Sequence, residues 1–342
     1  MRVISWNLKD IGQNKLATPL PPLIAAAGLG NNVLDYIVNV VMAEPNWAPY
    51  TGAARADLFI VIELVSGGHL KGADVSAGAV PTLNALVGAM NAIAVARGVT
   101  GTYQYASVPS KVTGKWESVG MIYNMRALTY APLSARTLRD IDGNNLLPRT
   151  PFFASFNPVA GGPRLDVIGI HAPPPTSGVS RFRLPVLYTE YLARVPEVRQ
   201  VGPFFVPQPL LLIAGDFNCD AAANFDMRRA GVWQQIDAFD DLINTWHCTT
   251  LMPIGSLSSM RKDLETAPPP IPADYLNEAY DNIFVKPAGV PLAAAQRVLD
   301  LIANARNTTQ PPAAQAMYPA QTQLLFDNYW TVSDHMPVDI TF

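Results

Sequence analysis

Three apolar runs in this chain stop at polar, chemically capable residues, and that pattern limits what the chain can build. Val3-Ile4-Ser5-Trp6 runs into Asn7. Leu210-Leu211-Leu212-Ile213-Ala214 runs into Gly215-Asp216-Phe217-Asn218, and Asn328-Tyr329-Trp330-Thr331-Val332 runs into Ser333-Asp334-His335 with Pro337 behind. Short apolar runs bounded by turn residues read as buried strands. Strands that end in Asn, Asp and His can line one rim of a sheet with amide, carboxylate and imidazole groups. That inventory suits a hard divalent cation, which takes oxygen ligands, and a phosphate ester, whose chemistry needs a proton shuttle.

The rest of the chain supplies the scaffold. Further strand patterns fall at residues 57–62, 103–108, 118–123, 152–157, 166–171 and 282–285, separated by Gly, Pro and Asn signals. Residues 31–44 carry apolar side chains at helical spacing behind an Asn cap, and residues 81–97 form a second helix pattern with Gly98 past its end. Helices are also expected over 181–195, despite Pro185, and over 293–305, with the last strands in 328–342. No repeat period is evident. Irregular alternation with two separated strand clusters predicts an α/β (α+β) fold: two packed β-sheets with helices on the outer faces, in one domain over 1–342.

Composition narrows the function classes. The chain has 342 residues, 49% hydrophobic and 15% charged, enough apolar material for a sizeable core. A net charge of −3 is unlike a passive nucleic-acid coat protein, whereas an enzyme can carry acidic metal ligands that a bound ion offsets. No run reaches the ~20 uninterrupted apolar residues of a membrane span. No signal-peptide pattern is visible, which leaves a cytoplasmic protein and a secreted mature form both open. Cys219 and Cys248 are too few for a disulfide framework, and read equally as one bridge or two buried thiols. The chain lacks a GxSxG elbow, an HExxH helix, a P-loop and a CxxC pair, which argues against serine hydrolase, zincin, NTPase and zinc-ribbon chemistry.

Seven clusters follow one another in order: Trp6-Asn7; Asp57 through Glu63; Trp116-Glu117; Arg149-Thr150-Pro151-Phe152; Ile170-His171-Ala172-Pro173; Gly215-Asp216-Phe217-Asn218; and Tyr280-Asp281-Asn282 followed by Ser333-Asp334-His335. Singly, each has an ordinary explanation: Asn7 as a turn former, Glu63 as a solvated strand end, His171 as a satisfied histidine, Arg149 as a surface cation. As an ordered set they resemble the endonuclease/exonuclease/phosphatase superfamily, most nearly its deoxyribonuclease I branch, over residues 3–342.

The resemblance implies a four-layer sandwich of two packed, mostly antiparallel β-sheets and a Mg²⁺-dependent phosphodiesterase, a DNA endonuclease of low sequence specificity, with Mn²⁺ as a substitute and Ca²⁺ as a structural ion. It assigns Glu63 and Asn7, with Asp334 close by, to the metal. His171 is matched with Glu117, and His335 with Asp281, as the two imidazole–carboxylate pairs that flank the scissile phosphate. Asp216 and Asn218 position the nucleophilic water and the phosphate oxygens, and Asn7 and Arg149 also meet the phosphate. Which imidazole is base and which acid stays open, and Asp216 is a rival base. No protein partner is required, and a monomer suffices. Two departures stand out, one removing a hydrogen bond behind the metal-binding Glu and one at the DNA-reading surface. The Gln expected before the metal-binding Glu is Ile62, and the Arg and Tyr that enter the DNA minor groove are Val65 and Lys115. A phosphoesterase acting on a lipid headgroup or a nucleotide is therefore the alternative. A binding module without catalysis is a third, and the presence of both histidines and the GDFN aspartate argues against it.

Overall fold

The computed structural model describes residues 1–20, 30–43, 55–65, 76–99, 102–106, 117–137, 151–171, 209–218, 249–250, 252, 256–264, 274–286, 295–302 and 329–342. The strands are β1 (Arg2–Ile11), β2 (Leu58–Val65), β3 (Tyr103–Tyr105), β4 (Glu117–Asn124), β5 (Leu128–Tyr130), β6 (Arg136–Thr137), β7 (Phe152–Pro158), β8 (Leu165–His171), β9 (Leu210–Asp216), β10 (Thr249–Thr250), β11 (Ser259–Met260), β12 (Leu276–Glu278), β13 (Asp281–Lys286), β14 (Ala295–Val298) and β15 (Val338–Thr341). The helices are α1 (Gln13–Leu16), α2 (Val33–Val41) and α3 (Ser76–Ala96).

Two sheets carry the fold. The first has the order β14-β15-β1-β2-β4-β3, the second β10-β13-β9-β8-β7-β5 with β6 beside β7. Each holds one parallel pair, β1 with β2 and β8 with β9, flanked by antiparallel neighbours. Alternation along the central strands explains the layering, because successive side chains point to opposite faces. Val3, Leu58, Ile60 and Ile62 meet Ala154, Val167, Leu212 and Ala214 of the second sheet in the inter-sheet core. Ile4, Trp6, Phe59 and Val61 point the other way, onto Tyr36 and Ile37 of α2 and Leu83, Leu86 and Met90 of α3. Full burial of each such side chain contributes about 1.5–3 kcal/mol. Ile62, which departs from the Gln pattern, thus lies in the inter-sheet core. A helical layer, the two large sheets and a two-stranded β11–β12 sheet are present among the described residues; the helix expected over 181–195 lies outside them.

Several elements differ from expectation. Residues 329–332 do not supply a strand: they form a helical turn, closed by the Ser333 amide donating to the Tyr329 carbonyl at 2.9 Å. Tyr329 and Val332, three apart, are the buried pair there and Thr331 is exposed, a helical rather than an alternating pattern. Within 293–305, residues 295–298 form strand β14 instead of a helix, because pairing with β15 satisfies their backbone and Gln296 reaches Asn282 Oδ1 at 2.9 Å. Helix α3 begins at Ser76, leaving Pro81 inside it. From Gly78 to Ala96 this helix is long and apolar enough to cross a membrane by length and composition. Its Ala79, Leu83, Leu86, Met90 and Ala94 are buried against the protein.

Candidate active site

The strand ends place the site. Asn7 and Glu63 lie near the C-terminal ends of the parallel pair β1 and β2, and His171 and Asp216 end the parallel pair β8 and β9, where they face each other in register. Glu117 begins β4 beside β2, and Asp281 begins β13 opposite Asp216. His335 precedes β15 and bridges to Ser259. Both sheets therefore offer polar side chains along the same rim.

Backbone geometry at the rim is unusual. Among the described residues, Lys9, Asp10, Glu63 and Asn218 are the non-glycine residues with positive φ, and all four lie here. Such conformations cost on the order of 1–3 kcal/mol each and persist where surrounding contacts over-determine them. Gly215 is required: its φ is +145°, and a Cβ would collide with the Ile170 carbonyl. The glycine of the GDFN cluster is thus what lets β9 pass close to β8 just before Asp216.

Asp216 is the hub. Its Oδ2 accepts from Asn7 Nδ2 at 3.0 Å and Asn218 Nδ2 at 3.2 Å, while Oδ1 accepts from the Asn218 amide at 2.7 Å. The same Oδ2 stands 3.5 Å from His171 Nε2 and 3.7 Å from His335 Nε2. His171 Nε2 is also 3.3 Å from Glu63 Oε1, and its Nδ1 is 3.3 Å from Glu117 Oε2. His335 Nδ1 meets Asp281 Oδ2 at 2.7 Å and Ser259 Oγ at 3.2 Å. Asp334 lies at the outer edge, 3.9 Å from His335 Nε2 and 3.5 Å from the Lys9 ammonium, which also sits 4.4 Å over the Trp330 ring. Asn7 turns its amide nitrogen toward the carboxylates, donating to Glu63 Oε1 at 3.1 Å, while its oxygen accepts from the Lys9 amide at 3.1 Å.

Electrostatics follow from this crowding. Burial pushes the Asp216 carboxyl up, Asp281 pushes it further, and the two imidazoles pull it down; the net shift is upward. Burial opposes a charged His335, but Asp281 and Asp216 outweigh it and hold the imidazole well above its ordinary value. Burial likewise pushes the Lys15 ammonium down to about 8, against the pull of Asp334 and Glu63.

The rim brings together Asn7, Glu63, Glu117, His171, Asp216, Asn218, Asp281, Asp334 and His335. Arg149, Lys115, Trp116, Cys219 and Cys248 lie outside the described residues. Sequence reasoning missed three serines. Ser258 Oγ donates to Asp281 Oδ2 at 2.8 Å and accepts from the Asp281 amide at 2.9 Å. Ser333 Oγ donates to the Asn7 carbonyl and accepts from the His335 amide at 2.9 Å. Ser259 sits against His335. Ser333 lies within a motif already quoted, whereas nothing local marks Ser258 or Ser259, which β11 carries to the site across the fold. Trp6 Nε1 at 2.9 Å and the Tyr329 hydroxyl at 2.6 Å both donate to the His335 carbonyl.

Glu63, Glu117 and His171 have ligand atoms close enough to share one cation, as do Asp216, Asp281 and His335. The donors are predominantly carboxylate oxygens, which fit a hard divalent ion.

No family model matches this chain, and no curated protein does. Solved structures similar to it include an endonuclease/exonuclease/phosphatase family protein from Leptotrichia buccalis, at 13% identity over 100% of this chain and 98% of that one, with a TM-score of 0.49. A mannosyl-6-phosphatase from Bacteroides thetaiotaomicron is similar at 13% identity over 100% and 98%, with a TM-score of 0.47. A humanized D. rerio TDP2 is similar at 13% identity over 100% and 99%, with a TM-score of 0.42.

Proposed function

We propose that this chain is a divalent-metal-dependent phosphodiesterase of the endonuclease/exonuclease/phosphatase superfamily that hydrolyses DNA internally with little sequence preference. One observation carries the reading: two imidazoles, each backed by its own carboxylate, lie within 4 Å of one Asp216 oxygen. Glu63 and Asp334 are the residues that would hold Mg²⁺, or Mn²⁺ in its place, with Asn7 joining them only through its amide oxygen, since its nitrogen faces the carboxylates. The chemistry such a cation would supply there is to offset the charge of the phosphoryl oxygens.

The chain's own groups supply the rest. Hydrolysis adds water oxygen to phosphorus, breaks the bond to the leaving oxygen, and moves one proton from the water to that oxygen. Two imidazoles on one rim provide an acceptor and a donor for these transfers, each worth about 10²–10⁴-fold. The carboxylates at Nδ1 fix ring orientation, and at His335 Asp281 also favours the charged form, as the Asp of the serine-protease triad does. Asn7 and Asn218 hold Asp216 in place between the two rings.

DNA is favoured by the Arg149 and His171 sequence neighbourhoods. Val65 and Lys115, standing where groove-entering Arg and Tyr are expected, favour the second reading, a lipid headgroup or nucleotide phosphoester. The test incubates the purified protein and Mg²⁺, then Mn²⁺ or added Ca²⁺, with supercoiled plasmid and with sphingomyelin or phosphoinositide vesicles. Relaxed and linear plasmid with acid-soluble nucleotide is the expected result. Inert plasmid under all three conditions with released headgroup would replace DNA by lipid; no product from any ester would remove the enzyme reading.

A further inference from the structure

We infer that Lys15 is a positioning residue for the metal carboxylate, acting through the β-bulge that interrupts β1. The inference rests on the metal-dependent reading above and adds to it a residue with no place in the ordered motifs.

The bulge lies between Asn7 and Ile11, where the β1–β2 register shifts. Its middle residues, Lys9 and Asp10, both adopt left-handed backbone, with φ of 44° and 54°. Two consecutive non-glycine residues rarely hold that conformation unless something fixes them. The turn they make separates donors from acceptors. The Lys9 amide donates to Asn7 Oδ1 at 3.1 Å and the Asp10 amide donates to Glu63 Oε2 at 2.8 Å. The Lys15 ammonium takes up the carbonyls of Leu8, at 2.8 Å, and of Lys9. Leu16, buried next to it, anchors α1 in the core and so holds Lys15 beneath the bulge.

One cation therefore gathers the carbonyls of the turn while its amides face two residues expected at the metal. Glu63 keeps Oε1 toward Asn7 and His171 because Oε2 is held by the bulge. Losing the clamp frees the bulge to relax, and the Glu63 carboxylate loses its fixed orientation. Partners that orient a metal ligand in this way typically account for about 10–100-fold in metal affinity.

The test is direct Mn²⁺ binding, read by electron paramagnetic resonance of the free ion, on wild type, Lys15→Met, Lys15→Arg, Glu63→Asp and the Lys15→Met/Glu63→Asp double variant. Lys15→Met is expected to raise the Mn²⁺ Kd about 10-fold or more. Lys15→Arg, which keeps a cation able to donate to both carbonyls, is expected to restore binding to within about 3-fold. In the double variant the two losses should be clearly less than multiplicative, because both act through one carboxylate. A Kd for Lys15→Met within about 2-fold of wild type, or fully multiplicative losses in the double variant, overturns the inference. Should Lys15→Met fail to fold, Lys15→Gln takes its place in the same cycle under the same criteria. Absence of Mn²⁺ binding by the folded wild type would instead defeat the metal-dependent reading itself.

Discussion

His335 and His171 reach the same Asp216 oxygen from opposite sheets, and they are held to different degrees. His335 comes from the β15 side of the first sheet and pairs with Asp281 of the second; its Nδ1 contact is 2.7 Å. Its carbonyl takes hydrogen bonds from Trp6 and Tyr329, its amide is bound by Ser333, and Ser258 and Ser259 support the Asp281 contact. His171 ends β8 in the second sheet and pairs with Glu117 of the first at 3.3 Å, while sharing Nε2 with Glu63 and Asp216. One imidazole is fixed by its backbone and a close carboxylate. The other sits among three carboxylates at longer range. Two groups with the same chemistry are thus set up for unequal dependence on their partners.

The largest expected effect tests whether both rings act at all. His335→Ala and His171→Ala should each lower phosphodiester turnover at least about 100-fold, with unchanged circular dichroism. Near-wild-type rates in both would remove the mechanism. The next effect measures the inequality. Asp281→Asn should reduce turnover about 100-fold and Glu117→Gln about 10-fold, since the shorter charge-assisted contact has more to lose. The reverse order in a steady-state assay would mean that contact distance does not govern the pairs.

Proton linkage gives a third reading, on the metal-free protein. The folded His335 binds its proton well above the ordinary 6.5, so its stabilisation is complete below pH 6.5 and is lost as pH rises through the elevated value. The upward-shifted Asp216 acts with the same sign from 3.8 upward. Lys15, pushed down to about 8, acts oppositely between that value and 10.5, so the window to use is pH 6.5–8. Urea unfolding in chelator should show stability falling across it, and Asp281→Asn should flatten the slope. A rising wild-type curve would contradict the assigned direction. The smallest effect probes the support of the tighter pair: Ser258→Ala removes a hydrogen bond to buried Asp281 and should cost about 1 kcal/mol, or about 5-fold in rate. A loss as large as that of Asp281→Asn would make the serine part of the catalytic unit rather than its support.

Much of this arrangement was legible in the residues. The apolar runs before Asn7 and before Asp216 encode central strands, and the polar residue after each of these runs locates the rim. The pairing of His335 with Asp281, and of His171 with Glu117, came from the superfamily resemblance and not from the residues alone. The helical turn before Ser333 was not legible, because its few residues carry both strand-like and helical spacing, and only packing of Tyr329 against Tyr36 and the Ser333 bond choose between them. Strand β14 was misread for a similar reason, since its partner β15 lies about forty residues away in sequence.

By itself the sequence determined which side chains end the strands, and therefore which functional groups the molecule can present on one rim, because backbone periodicity fixes where each residue points. The tertiary structure alone decided how they are held. Serines 258 and 259, the Lys15 clamp and the left-handed backbone at Glu63 act through contacts between segments distant in the chain or through strained local geometry. Neither leaves a periodic trace, since a hydrogen bond across a fold depends on where two segments meet and not on what surrounds either of them in sequence.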